Sequence, residues 1–127
     1  MMSADRLTIL YVEDNEMLRA TIVEYLEELE HPVTPVRTAE EALQSLETDH
    51  FDVLLTDVSL PGRSGIDLGK HALERYPDIH LILSSGHDVS GTAKDMRNTQ
   101  CLAKPFDLDR IDEVLESVRQ SLRAGQS

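Results

Sequence analysis

A chain of 127 residues, 40% of them hydrophobic, is the size of one ordinary domain with a single continuous core, and two domains would be hard to fit. Twelve basic residues against 24 acidic ones give a net charge of -12, which opposes binding to nucleic-acid phosphates and anionic membranes and points to proteins or a cation as partners. The one cysteine, Cys101, excludes an internal disulfide and fits a reducing compartment, and no Cys/His metal pattern accompanies it.

Residues Met1 to Arg6 precede a short apolar run, Leu7 to Val12, that ends in acids and lacks the form of a signal peptide. No stretch is long enough to span a bilayer, so a cytoplasmic protein is expected. Leu7 to Val12 reads as a first strand with Glu13 and Asp14 at its end. Asn15 can cap a helix carrying Leu18, Ile22, Leu26 and Leu29 on one side and a solvated row of glutamates on another. His31-Pro32 is expected to stop that helix, because the residue before proline is pushed towards extended geometry. Val33 to Arg37 then forms a short strand, placed at a sheet edge by Pro35, which has no donor for a ladder.

Thr38-Ala39-Glu40-Glu41 has the form of a capping box, and Ala42, Leu43 and Leu46 continue a second helix. Phe51 to Asp57 is an apolar strand that delivers one carboxylate to its end, where Pro61-Gly62 turns the chain. Ser64 caps a third helix through Ile66, Leu68, Ala72 and Leu73, ending near Tyr76-Pro77. Ile79 to Leu83 is a buried strand leading to Ser84-Ser85-Gly86. From Asp88 to Asn98 the helical signal is poor, since Ser90, Gly91 and Thr92 weaken the first turn, and a short, mobile fourth helix is expected. Cys101 to Ala103 is a brief strand before Lys104-Pro105-Phe106. Asp107 caps a last helix with Leu108, Ile111, Leu115, Val118 and Leu122 in a stripe, and Ala124 to Ser127 are expected to fray.

Five strands alternating with five helices imply an α/β fold, a doubly wound parallel sheet with right-handed crossovers and helices on both faces. The whole of residues 1–127 reads as a single domain with its core from about residue 7 to 122. In such a sheet, side chains at the carboxyl ends of neighbouring strands converge on one crevice. That crevice should hold Glu13, Asp14, Asp57, Ser84, Ser85 and Lys104. Each pair among three carboxylates about 4 Å apart repels by about 4 kcal/mol at an effective dielectric near 20. A hard divalent cation such as Mg²⁺ can offset this, and Lys104 supplies a second positive charge. Such a site suits phosphoryl transfer to a carboxylate, with Asp57 as nucleophile.

The acidic pair Glu13-Asp14, Asp57 followed by Leu60-Pro61 and Gly65, Ser85-Gly86, and Lys104-Pro105-Phe106 occur in this order. Together they make the chain resemble the receiver domain of two-component response regulators, from about Leu7 to Leu122. The resemblance implies a flavodoxin-like strand order 2-1-3-4-5, and makes Asp57 the phosphoacceptor. It implies that Asp14, Asp57 and the backbone carbonyl of Ser59 are Mg²⁺ ligands, with Glu13 a ligand through water. It further implies that Lys104, in a bond to Pro105 that is often cis, contacts the phosphoryl group, and that Ser85, rather than Ser84, is the switching hydroxyl. Ser59 and His87 match positions that tune phosphate lifetime.

Two positions depart from the family pattern: Cys101 stands where a switching aromatic is usual, and the fourth helix is weak. The expected partners are a sensor histidine kinase or phosphotransfer protein and a downstream protein target, with no nucleic acid and no membrane. An output through protein binding is expected because no DNA-binding region follows the fifth helix. The chain is not expected to be an enzyme. A Mg²⁺-dependent aspartyl phosphatase would need a second acid where Ser59 stands, while a receiver-like module working without phosphorylation is the other alternative. Cys101, His31, His50, His71, His80, Met17 and Met96 are assigned packing or surface roles.

Overall fold

The computed structural model describes residues 6–125. In chain order the elements are β1 (Ile9–Val12), α1 (Glu16–Glu28), β2 (Val33–Val36), α2 (Ala39–Thr48), β3 (Val53–Asp57), α3 (Gly65–Arg75), β4 (His80–Ser85), α4 (Ser90–Lys94), β5 (Thr99–Ala103) and α5 (Leu108–Gly125). The strands form one parallel sheet in the order β2-β1-β3-β4-β5, the order implied by the resemblance.

The expected caps all form. Asn15 Oδ1 accepts from Leu18 N–H, Thr38 Oγ1 from Glu41 N–H, Ser64 Oγ from Asp67 N–H and Asp107 Oδ1 from Arg110 N–H. The expected capping box is modified, since Glu41 reaches past Thr38 and accepts the N–H of Arg37 at 2.8 Å. Pro35 does lie on an edge strand, where its missing N–H costs no ladder bond.

Alternation along the central strands splits the interior, so the single continuous core expected from composition is instead two. On one side, Leu10, Val12, Leu54, Leu81 and Leu83 pack with α2, α3 and Ala93 of α4. On the other, Ile9, Tyr11, Val53, Leu55, Ile82 and Leu102 pack with Ile22 and Leu26 of α1 and with Ile111, Val114, Leu115 and Val118 of α5. A sheet buried on both faces produces this division by its period of two.

Several boundaries move. Helix α1 ends at Glu28, short of His31, because Glu30 adopts a left-handed φ of 68°. The N–H of His31 bonds to the carbonyl of Leu26 and that of Glu30 to Glu27, so the last carbonyls are satisfied by a Schellman turn. Strand β4 runs on to Ser85, since Ser84 pairs with Asp57 and Leu102, and Ser85 with Ala103. Strand β5 begins at Thr99 through its pairing with Leu81. Helix α4 is short as expected, a bare five residues. Helix α5 continues through Ala124 and Gly125, where fraying was expected. The remainder of that expectation, Gln126-Ser127, lies outside the described residues, as does the reading of Met1 to Asp5.

Candidate functional site

Strands β1, β3 and β5 end on the same side of the sheet, and alternation decides which of their last side chains meet. Glu13 follows Tyr11 by two, Asp57 follows Leu55 by two, and Lys104 follows Leu102 by two, so all three stand on the α1/α5 face. Ladder bonds continue one residue past β1 and β5, from Glu13 N–H to the carbonyl of Val36 and from Lys104 N–H to that of Ser85. These bonds hold the ends of both strands in register where the acids and the lysine stand.

Among the described residues, Glu13, Asp14 and Asp57 bring one carboxylate oxygen each to within 4.8 Å of one another. Glu13 and Asp57 are buried and Asp14 is exposed, so the cluster opens to solvent on one side. The ammonium of Lys104 lies 3.3 Å from Glu13 Oε1 and 3.2 Å from Asp57 Oδ2. It bridges the two buried acids and offsets their repulsion. Burial pushes the Glu13 carboxyl above its ordinary range, against the N–H of Asn15 and the Lys104 charge, which pull it down. The phenol of Tyr11 is pushed far up, first by burial and then by the charges of Glu13 and Asp57 above it.

The loops are fastened to these acids. The Asn15 N–H donates to Glu13 Oε2 at 3.1 Å, and the Arg19 guanidinium donates to the Glu13 carbonyl at 2.9 Å. Thr56 Oγ1 donates to the Asp57 carbonyl at 3.0 Å, and the Ser59 N–H to Asp57 Oδ1 at 3.3 Å. Gly65 packs against the backbone of Asp57 so closely that a Cβ there would lie 2.0 Å from the Asp57 carbonyl oxygen. This gives a physical reason for the glycine: its N–H donates to the carbonyl of Val58, closing the loop that carries Ser59 to Ser64.

Ser85 is buried at the end of β4, on the α4 face by alternation, and its Oγ accepts the N–H of His87 at 3.0 Å. Ser84 is also buried, but on the face of Asp57, its direct neighbour in the ladder. The bond between Lys104 and Pro105 is cis, as the resemblance implied. Cys101 is half-buried against the α4 side of the core, and burial raises its thiol. His31 is buried inside the fold and accepts the Leu7 N–H at Nδ1, while His50 is exposed. Tyr11, Arg19 and Thr56 also join the site, and no motif in the sequence marks them; only the two-residue period back from Glu13 points to Tyr11.

The model of the response regulator receiver domain matches residues 9–116, spanning all five strands. The chain belongs to this family. As a receiver domain it is 32% identical over 110 residues to the response regulator receiver protein CpdR of Brucella abortus, covering 84% of this chain and 92% of CpdR. It spans much less of other relatives: 45% of the sensory transduction protein LytR of Staphylococcus haemolyticus and 24% of the transcriptional regulator NtrC of Azospirillum brasilense, at 26% and 28% identity. Among solved structures, the chemotaxis response regulator CheY4 of Vibrio cholerae superposes with a TM-score of 0.81 at 22% identity, covering 89% of this receiver domain and 98% of CheY4. The response regulator TrrA of Thermotoga maritima, solved in complex with Mg²⁺-BeF, has a TM-score of 0.77 at 25% identity, covering 88% of this chain and 98% of TrrA. Among the described residues, no helix is long and apolar enough to cross a membrane.

Proposed function

We propose that this receiver domain is a cytoplasmic switch that takes a phosphoryl group on Asp57 from a histidine kinase or phosphotransfer protein, in a Mg²⁺-dependent reaction, and thereby changes its binding of a downstream protein. The observation that carries this reading is the Lys104 ammonium held on Asp57 Oδ2 beside three converging carboxylates. Oxygen donors of this kind suit a hard cation, and Asp14, Asp57 and the Ser59 carbonyl would hold Mg²⁺, with Glu13 acting through water. When bound, that ion supplies charge neutralisation for the transferring group.

The chain's own groups do the rest. A carboxylate oxygen of Asp57 forms a bond to phosphorus as the donor's P–N bond breaks, and the electron pair returns to the imidazole nitrogen. Lys104 holds a second phosphoryl oxygen by its fixed positive charge. Ser85 leaves the His87 N–H and donates its hydroxyl to a third, which moves the β4–α4 loop and alters the surface a partner meets. Ser59 and His87 flank the acyl phosphate and govern the access of water to it. Nothing in this sequence of events turns over a substrate, so the domain assists its own modification without being an enzyme in the ordinary sense.

Incubation with acetyl phosphate and Mg²⁺ tests the reading. The expected product carries one acid-stable, base-labile phosphate, absent from Asp57→Asn and from samples containing EDTA. Equal labelling of Asp57→Asn would overturn the assignment.

A further inference from the structure

Among the described residues, one buried side-chain polar atom has no hydrogen-bond partner, the Oγ of Ser84. Ser84 is 1% exposed, and an unmet hydroxyl at such a place is costly unless something engages it. Its neighbours are set by the ladder. Ser84 pairs with Asp57 on one side and Leu102 on the other, on the same face as both.

Lys104 leaves β5 two residues after Leu102 and reaches Asp57 and Glu13 on the far side of β4. To do so its side chain crosses β4 on that face, where Ser84 is the last side chain of the strand. Neighbouring strands lie about 4.8 Å apart, so the hydroxyl stands beside the path of the lysine, with no hydrogen bond to it in this structure. The ammonium has three N–H groups, and two carboxylates are its partners. A donor with a proton to spare and an acceptor with nothing to accept thus occupy adjacent columns of the sheet.

Lys104 does not reach this hydroxyl while it holds the two acids; we propose that Ser84 is a positioning residue that accepts the third N–H of Lys104 once the ammonium turns to a phosphoryl group on Asp57, and holds it there. The proposal rests on the function proposed above, since the phosphoryl group draws the lysine over. Ser84 and Ser85 then divide the work, one steadying the lysine from below and the other meeting the phosphate from the opposite face.

The test uses the whole chain with ¹⁵N-labelled lysine, comparing wild type, Ser84→Ala and Ser84→Thr. With Mg²⁺ and beryllofluoride as a stand-in for the phosphoryl group, the wild-type Lys104 ammonium protons should exchange slowly enough to observe; Ser84→Ala should speed that exchange about tenfold, and Ser84→Thr should restore it. The initial rate of acetyl phosphate labelling should drop about three- to tenfold in Ser84→Ala but show no further drop when Ser84→Ala is added to Lys104→Ala. Unchanged exchange in Ser84→Ala, or the same fractional loss of labelling in both backgrounds, would overturn the proposal. A higher melting temperature for Ser84→Ala with Mg²⁺ and beryllofluoride bound would do so as well, because it would mean that the hydroxyl is idle there. If wild-type Asp57 takes no phosphate, the proposed function fails; if it takes phosphate and the ammonium exchange is the same in wild type and Ser84→Ala, the role of Ser84 alone fails.

Discussion

Replacing Lys104 with methionine keeps the length of the side chain and removes the charge that bridges two buried acids. The side chains of Glu13 and Asp57 are only 3% and 10% exposed, so water does little to screen them. At 3.3 and 3.2 Å, each contact with the ammonium contributes about 5 kcal/mol of gross attraction at an effective dielectric near 20. Most of that attraction offsets the cost of burying the charges, and breaking a buried pair from one side leaves a net loss of about 3–5 kcal/mol. Urea unfolding of Lys104→Met in EDTA should show this loss. In the background of Asp57→Asn one of the two stranded carboxylates is gone, and the same substitution should cost less by about 2 kcal/mol. Magnesium should recover part of the loss by binding the folded state alone. A penalty below about 1 kcal/mol in EDTA, or one that is equal in the two backgrounds, would refute the view that Lys104 is the charge holding these acids together.

Three further outcomes are expected. Gly65→Ala sets a Cβ 2.0 Å from the Asp57 carbonyl oxygen, and should cost about 1–3 kcal/mol in thermal unfolding while slowing phosphate labelling. Glu30→Gly relieves a left-handed backbone at φ 68° and, after the extra chain entropy of glycine, should raise stability by about 0.5–1 kcal/mol, read as a later urea midpoint at unchanged slope. Burial lowers His31 and His80 below 6.5, so between that value and their folded values the unfolded chain binds more protons; stability is complete above pH 6.5 and lost as pH falls. Each histidine steepens the fall by at most about 1.4 kcal/mol per pH unit, and His31→Gln should remove its share in urea titrations between pH 7 and 5.

The order of elements was legible because each helix with a side-chain cap announces it: Asn15, Thr38, Ser64 and Asp107 stand one residue or less before the first turn, and each makes its bond. The candidate site was legible for a related reason, since acids and a lysine at strand ends cost stability unless they serve one another. The end of α1 was not legible, because a glutamate in the left-handed region carries no mark of its conformation and only the closing contacts impose it. Nor was the full length of β4, whose last serines are polar and become strand through the neighbours they pair with. Ser84 and Ser85 are a doublet in the sequence, and it is the two-residue period of the strand that sends them to opposite faces.

The turn from β2 into α2 has a consequence for how this acidic protein behaves when crowded. Carbonyls of Pro32 and Val36 bond inward to β1, so Val33, Pro35 and Arg37 present their backbones to the outside. Pro35 has no N–H to offer, and that of Arg37 is already taken by Glu41. The rim keeps a single outward donor on Val33, too few to template another chain, and sheet-to-sheet polymerisation from this side is closed off. Self-association by strand pairing is thereby confined to the β5 rim, the one that runs past Cys101 to Lys104.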